Sequence, residues 1–184
     1  MHYIKLEEAG KKYLPKRFNL TIQRNECWVI SGANGSGKTT LLLLVLGFIR
    51  PDVGVIEKNR LKIGYLPEKI MLPPLIKAMD YLETMARIKR DQLCMDYIHR
   101  LAIPLHQFIY ELSKGNQQKL GFLQALLGRP QLIVLDEPFS GLDDESSQIM
   151  VDILHDIHEK GVSLLISTHQ PERFSHHWTK HMHL

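Results

Sequence analysis

Alternating apolar and polar residues distinguish two segments near the start of the chain. The stretches YIKLEE and FNLTIQ alternate in this way, as half-buried strands do. Two later stretches, CWVI and LIVL, are continuously apolar, and VSLLIS contains an apolar run bracketed by serines. Such runs are typical of strands buried on both faces of a parallel sheet. The pattern predicts a small N-terminal antiparallel part and a mostly parallel sheet.

Helical spacing of apolar residues indicates helices between these strands. The segments run from Leu75 to Ile88, from Leu93 to Leu101, and from Ile149 to Ile157. Residues three and four apart share a helix face, so we expect these apolar positions to pack in the core. The alternation of strands and helices predicts an α/β fold.

The length of 184 residues suits one domain. Residues 73–110 contain no convincing strand, and the stretch LPEKIMLPP precedes them like a hinge. We therefore predict an α-helical subdomain at 69–116, inserted into an α/β core formed by 1–68 and 117–184.

Composition narrows the classes of function. The formal charge of +3 is too small to indicate nucleic acid binding. Cys27 and Cys94 have no paired spacing, so we expect free, buried thiols in a reducing compartment. The chain opens without a secretory signal pattern. The uncharged run Thr39–Ile49 is far shorter than the roughly 20 residues of a membrane helix, so any membrane role is exercised from outside the bilayer.

The stretch SGANGSGKTT lies between a predicted buried strand and a predicted helix. Gly32, Gly37, Lys38 and Thr39 satisfy the phosphate-binding pattern G-x-x-x-x-G-K-[ST]. Glycines let backbone N–H groups approach phosphate oxygens, and the positive end of the following helix attracts the anion. Lysine then reaches the outer phosphates and the hydroxyl ligates Mg²⁺. This loop alone does not distinguish kinases, GTPases and ATPases.

Two later stretches supply further candidate chemistry. QLIVLDEP ends an apolar strand with Asp136, suited to supporting Mg²⁺, and Glu137, suited to act as a general base towards water. In ELSKGNQQKLGFLQALL, Ser113 and Gly115 precede a helix predicted to start near Asn116. A helix N-terminus with small residues is either a second phosphate site or an ordinary cap.

These motifs together resemble the nucleotide-binding subunit of ATP-binding cassette (ABC) transporters, over nearly the whole chain. GANGSGKTT resembles Walker A, YLPE lies at the Q-loop position, and LSKGN resembles the signature motif. LIVLDEP resembles Walker B, SGLD resembles the D-loop, and STH ends in the position of the switch histidine. Six motifs in the family's order are far more specific than any one of them.

The resemblance implies ATP and Mg²⁺ as cofactors and assigns roles residue by residue. Glu137 would orient the hydrolytic water, and His169 would contact the γ-phosphate. Ser113 and Gly115 would bind ATP held by a partner subunit, and Asp143 would make contacts across the dimer. The remaining implied contacts are Tyr13, stacked on adenine; Gly32, Asn34, Gly35, Ser36, Gly37, Lys38, Thr39 and Thr40 around the phosphates; and Thr39, Glu68 and Asp136 around Mg²⁺.

The chain departs from the family pattern at a few positions. Glu68 replaces the Gln of the Q-loop, where its carboxylate can still ligate Mg²⁺ but adds negative charge beside ATP. Lys114 and Asn116 stand where the common signature has Gly and Gln. Four histidines near the end, His176, His177, His181 and His183, could bind a transition metal, although a solvated terminus is favoured. His155 and His158 are expected on the surface.

The resemblance implies an ATPase subunit, cytoplasmic and peripheral on the inner face of the membrane. Two cassettes would sandwich two ATP molecules, and their closing and opening would move separate transmembrane permease subunits. The short chain, YLPE and LSKG favour an exporter-like cassette. The alternatives are a soluble ABC-type ATPase, for example in iron–sulfur cluster assembly, and a non-hydrolysing nucleotide-dependent interaction module. A small-molecule kinase would not explain LSKGN or STH.

Overall fold

The computed structural model of the chain describes residues 2–174 and 179–184, which form two β-sheets and five α-helices. Short 3₁₀ turns cover Ile109–Glu111 and Pro171–Phe174. The strands are β1 (His2–Gly10), β2 (Phe18–Gln23), β3 (Cys27–Ser31), β4 (Val53–Lys58), β5 (Ile63–Leu66), β6 (Leu132–Asp136), β7 (Ser163–Ser167) and β8 (Thr179–His183). The helices are α1 (Lys38–Leu46), α2 (Ala78–Lys89), α3 (Met95–Leu101), α4 (Lys114–Leu126) and α5 (Asp144–Glu159).

The alternating N-terminal segments form an antiparallel sheet of order β2-β1-β4, as predicted. In the central strand, Leu6 pairs with Leu20 on one side and Ile56 on the other. Ile4, Leu6 and Leu20 are buried with apolar residues of α1 in one core cluster. The alternation therefore reflects burial of a single sheet face.

The continuously apolar segments form a parallel sheet of order β5-β6-β7-β3-β8. Every residue of β6 and β7 is buried, because helices cover both faces of such a sheet. Parallel strands all end at the same edge, so the segments after Ser31, Asp136 and Ser167 start side by side. The sequence did not predict β4, β5 or β8.

Residues between β5 and α4 hold α2, α3 and a 3₁₀ turn, with a single isolated bridge between Lys77 and Phe108. The prediction that the apolar residues from Leu75 to Ile88 pack in the core is wrong at both ends of that segment. Because α2 begins at Ala78, Leu75 lies before it and is 77% exposed, while Ile88 on its outer face is 68% exposed. The division into a core and a 69–116 subdomain stays a prediction.

Two expectations about burial also fail. Cys27 is buried, which raises the pKa of its thiol, but Cys94 precedes α3 on the surface and is exposed. His155 is partly exposed, whereas His158, near the end of α5, is buried, and its Nδ1 lies 3.0 Å from the carbonyl of Val162.

Two of the four histidines near the end of the chain lie on β8. His181 and His183 are exposed on β8, and His176 and His177 lie outside the described residues. Within 2–174 and 179–184, no three His, Cys, Asp or Glu side chains are grouped to hold a metal ion. In the same ranges, no helix is long and apolar enough to cross a bilayer.

Candidate nucleotide site

The loop between β3 and α1 is folded around its glycines. Gly32, Gly35 and Gly37 have φ angles of 149°, 79° and 103°, a region that L side chains rarely adopt. A Cβ on Gly37 would lie 2.8 Å from the side chain of Leu14, and one on Gly32 would lie 2.5 Å from the carbonyl oxygen of Leu184. Only glycine satisfies both the conformation and the packing.

The first turn of α1 faces this loop with free N–H groups. Gly37 is the N-cap and has no side chain with which to satisfy them. Beside it, the Ser36 hydroxyl is buried with no hydrogen-bond partner among the described residues. Unpaired donors at a helix N-terminus form a binding site for an anion such as phosphate.

Lys38 supplies the positive charge of the loop. Its Nζ donates to the carbonyls of Gly32 at 2.8 Å and Ala33 at 3.4 Å, and lies 3.4 Å from Oε1 of Glu137. The side chain is 8% exposed, so its charge is weakly screened. The loop thus holds its lysine facing inward between the backbone and the acidic strand end.

Glu137 lies between two basic groups. Its Oε1 faces Lys38, and its Oε2 lies 2.7 Å from Nδ1 of His169 and accepts from the His169 backbone N–H at 3.2 Å. The carboxylate is 11% exposed. Glu137 has a φ of 48°, a costly conformation for a non-glycine residue that accumulates at functional sites.

Ser167 stabilises this strained position. Its hydroxyl donates to the buried carboxylate of Asp136 and accepts from the Glu137 backbone N–H at 3.2 Å, while its carbonyl accepts the same N–H at 3.1 Å. Asp136 and Ser167 are register partners on β6 and β7. Ser167 begins the STH stretch, and its role was not predicted from the sequence.

A cavity of about 590 Å³ brings most of the sequence-predicted residues together. Leu14, Ala33 and Ser140 were not predicted to take part; Leu14 adjoins the predicted Tyr13, and Ser140 opens the SGLD stretch. The predicted residues lining the cavity are Tyr13, Asn34, Gly35, Ser36, Gly37, Lys38, Thr39, Thr40, Glu68, Glu137 and His169.

Five predicted residues do not line this cavity: Gly32, Ser113, Gly115, Asp136 and Asp143. Ser113 caps α4 by accepting from Asn116 N–H, so the helix begins at Lys114, close to the predicted start near Asn116, and Gly115 lies in its first turn. A Cβ on Gly115 would be 2.8 Å from the Gly141 carbonyl, so the start of α4 packs directly on the SGLD segment.

Asp143 and Asp136 play different structural roles. Asp143 caps α5, accepting from Ser146 N–H at 2.7 Å. That bond holds the pKa of Asp143 below its ordinary value. Asp136 is 1% exposed and lies behind the cavity wall, bonded to Ser167.

The glycine loop, inward lysine and strand-end carboxylates define a P-loop nucleotide-binding protein. The profile of the family described as ABC transporter matches residues 15–140. The chain is 36% identical over 182 residues to the ABC transporter ATP-binding protein MJ1023 of Methanocaldococcus jannaschii, covering 92% of this chain and 69% of that one. The chain belongs to the ABC transporter family, as an ATP-binding cassette.

Another relative and a solved structure agree. The ABC transporter ATP-binding protein YhaQ of Bacillus subtilis is 37% identical over 171 residues, covering 84% of this chain and 57% of that one. The dimeric structure of the bacterial cassette MJ0796 superposes with a TM-score of 0.84 at 21% identity, covering 98% and 94% of the two chains. This second likeness confirms the fold. The chain spans 57–69% of the length of these two curated relatives.

Proposed function

We propose that the protein binds and hydrolyses ATP as the cassette subunit of an ABC transporter. The observation that carries the proposal is the position of Glu137 between Lys38 and His169, facing the P-loop cavity. A binding module needs the loop and the lysine. Hydrolysis additionally requires a general base within reach of the attacking water, and the carboxylate of Glu137 at this cavity is suited to that role.

The P-loop residues bind and orient the nucleotide. First-turn N–H groups of α1, the unpaired Ser36 hydroxyl and the Lys38 ammonium converge on one side of the cavity, where they suit the outer phosphates. Tyr13 is 70% exposed at the same cavity, and stacking on adenine would bury its ring.

The residues at the cavity also fit Mg²⁺, which takes oxygen ligands and is held by few protein groups together with phosphate. Thr39 and Glu68 present a hydroxyl and a carboxylate there, and Asp136 supports the site from behind the wall. The ion, when bound, neutralises phosphate charge. Glu137 accepts the proton of the attacking water, while the contacts of its Oε2 with Nδ1 and with the backbone N–H of His169 keep that carboxylate in position.

Ser113, Gly115 and Asp143 support a dimeric site. None lines the P-loop cavity of its own chain, so each can reach a nucleotide only if a second cassette presents it. Ser113 and Lys114 are exposed at the start of α4, as a phosphate-binding helix end in trans requires. We propose a head-to-tail pair of cassettes, identical or different, with an ATP at each junction.

Exposed apolar residues support a membrane partner. Met71 is 96% exposed, Leu75 77% and Tyr110 58%. All three lie in or beside the proposed helical insert, which follows Glu68 of the nucleotide cavity. Tyr110 N–H donates to the Pro74 carbonyl at 3.2 Å, which brings Tyr110 next to Leu75. Grouped exposed apolar residues mark a protein contact, and we propose that separate permease subunits cover these residues at the cytoplasmic face of the membrane. Export rather than import stays the favoured direction by resemblance alone. The non-transport alternatives are not favoured by the family matches.

The test compares three variants in nucleotide-binding and phosphate-release assays. Lys38→Ala should weaken ATP binding, since a charge-assisted contact contributes about 1.5–3 kcal/mol. Glu137→Gln should retain ATP yet hydrolyse it about 10²–10⁴-fold more slowly, and should accumulate as an ATP-bound dimer on size exclusion. The matched control Glu83→Gln removes an exposed carboxylate of α2 and should match the parent.

Adding Ser113→Arg to Glu137→Gln tests the dimeric site. The dimer should disappear while each P-loop keeps its nucleotide. Parent-like hydrolysis by Glu137→Gln would remove Glu137 from the role of base. An ATP dimer that survives Ser113→Arg would refute the composite site. If Glu137→Gln is slow but monomeric, the assay is repeated with the permease subunits present.

A further inference from the structure

A second cavity of about 290 Å³ opens on the opposite side of the protein from the nucleotide. It lies between α3, α4 and α5, and its floor is Ile133 near the start of β6. The residues that line the nucleotide cavity, by contrast, follow the carboxyl ends of the parallel strands. Pro130 and Val162, which precede β6 and β7, line this cavity at the amino-end edge of the same sheet.

The interior of the cavity is apolar. Ile98, Leu123 and Ile133 are at most 6% exposed, and Tyr97 and Ile157 are 8% exposed. At about 30 Å³ for a water-sized group, the cavity has room for about ten such groups. That volume accommodates a linear chain of about ten carbons.

The mouth of the cavity is basic. Lys160 donates to the Tyr97 hydroxyl at 3.1 Å, and no ion pair joins it to a carboxylate within the described ranges. The Tyr97 hydroxyl raises the pKa of Lys160, which keeps the ammonium charged. Arg129 also lines the mouth, 83% exposed. The acidic lining residue, Asp91, accepts from Gly128 N–H at 2.8 Å and pairs with Arg129 Nε at 3.5 Å, so Asp91 and Arg129 offset each other and Lys160 supplies the net positive charge of the mouth.

Positive charge continues beyond the mouth. Lys160, Pro130 and Val162 also line an adjoining polar cleft, where Arg24 and Arg60 are exposed. When the apolar tail of a ligand fills the cavity, its head group would therefore lie near these cationic side chains. Charge and shape are complementary to one chemical class, a free amphiphile with a single anionic group.

We propose that this cavity binds a medium-chain alkyl carboxylate, with its tail between α3, α4 and α5 and its carboxylate on Lys160. The carboxylate accepts from the ammonium that Tyr97 orients. The tail displaces water from apolar walls, which is the favourable part of such binding. The site is separate from the nucleotide cavity and does not depend on ATP hydrolysis.

Chemical labelling of Cys94 can report whether a ligand occupies the cavity. Cys94 lies at the cavity and is exposed, whereas Cys27 is buried in the sheet, so a neutral thiol reagent such as iodoacetamide should label Cys94 alone in the folded protein. Decanoate, below its micelle concentration, should slow Cys94 labelling at least fivefold with a saturable dependence. Decanol, which lacks the charge, and acetate, which lacks the tail, should protect weakly or not at all.

Lys160→Met should weaken decanoate protection about tenfold, the loss expected for a charge-assisted contact, with nucleotide affinity unchanged. The matched control Lys77→Met removes an exposed lysine at the start of α2 and should bind decanoate like the parent. Equal protection by decanol and decanoate, or unchanged protection in Lys160→Met, would overturn the proposal. So would the absence of any decanoate protection in the parent protein.

Discussion

Ser167→Ala removes one hydroxyl from the strand edge behind the nucleotide cavity. That hydroxyl donates to Asp136, which is 1% exposed, and accepts from Glu137 N–H. Losing a hydrogen bond to a buried carboxylate costs about 1.5–3 kcal/mol. Glu137 N–H keeps its bond to the Ser167 carbonyl, so it adds little to this cost. The substitution should destabilise the fold and loosen the carboxylate at position 137.

Ser163→Ala is the matched control. Ser163 lies on the same strand and is equally buried, but its hydroxyl donates to the neutral carbonyl of Gln23 at 3.2 Å. A neutral hydrogen bond contributes about 0.5–1.5 kcal/mol. Because both variants delete the same atom from the same strand, the comparison isolates the contribution of the carboxylate.

Thermal and urea unfolding of the nucleotide-free proteins measure the two costs. For a chain of this size, 1 kcal/mol corresponds to about 2–4 °C in Tm. Ser167→Ala should therefore unfold several degrees below Ser163→Ala, and its ATP hydrolysis should fall while that of Ser163→Ala stays near the parent. Equal loss of stability in the two variants would refute the view that Ser167 stabilises the buried aspartate.

Three further predictions concern residues at the edges of the site. Glu68→Gln should leave ATP binding largely intact and change the hydrolysis rate or its stimulation by permease subunits, whereas unchanged basal and stimulated rates would contradict a role for Glu68 at the metal. Tyr13→Phe should bind ATP like the parent while Tyr13→Ala binds several-fold more weakly, because stacking needs the ring and not the hydroxyl; equal affinities measured by nucleotide titration would exclude stacking. The cap at Asp143 stabilises the folded state at neutral pH, and because its pKa is lowered by Ser146 N–H, this stabilisation is lost as pH falls through the folded pKa. The Tm of Asp143→Ala should accordingly lie below that of the parent at pH 7 and approach it on acidification; a gap that widens in acid would contradict the assignment.

Much of this fold is readable from burial patterns because the parallel sheet is covered on both faces. Continuous apolar runs identified β3, β6 and β7. Alternation identified β1 and β2, whereas β4 and β8 were not predicted, for a physical reason. In β4, Val55 is 57% exposed and the remaining residues are exposed or half-buried, and β8 is a polar edge strand. Neither carries the apolar pattern that burial imposes.

The candidate site could be predicted where its residues are close together in the sequence. It could be predicted less well where tertiary packing decides which residues meet. The glycines, Lys38 and Glu137 lie where their motifs indicated. Helical periodicity placed Leu75 in the core, although the helix starts only at Ala78. Ser167 had no distinguishing signal, because its role depends on a register partner that lies 31 positions away in the chain.

The register of the parallel sheet explains how distant motifs form one site. Asp136 pairs with Ser167, and Ser167 pairs with Ile30, whose strand leads into the P-loop. All three strands thus end level, and the segments that follow them meet at one edge. A slip of β6 by one residue would reverse the direction of every side chain on it, turning Asp136 away from Ser167 and withdrawing Glu137 from Lys38. The buried apolar residues of β6 and β7 therefore determine the geometry of the site as firmly as the loop residues do, because their packing is what fixes this register.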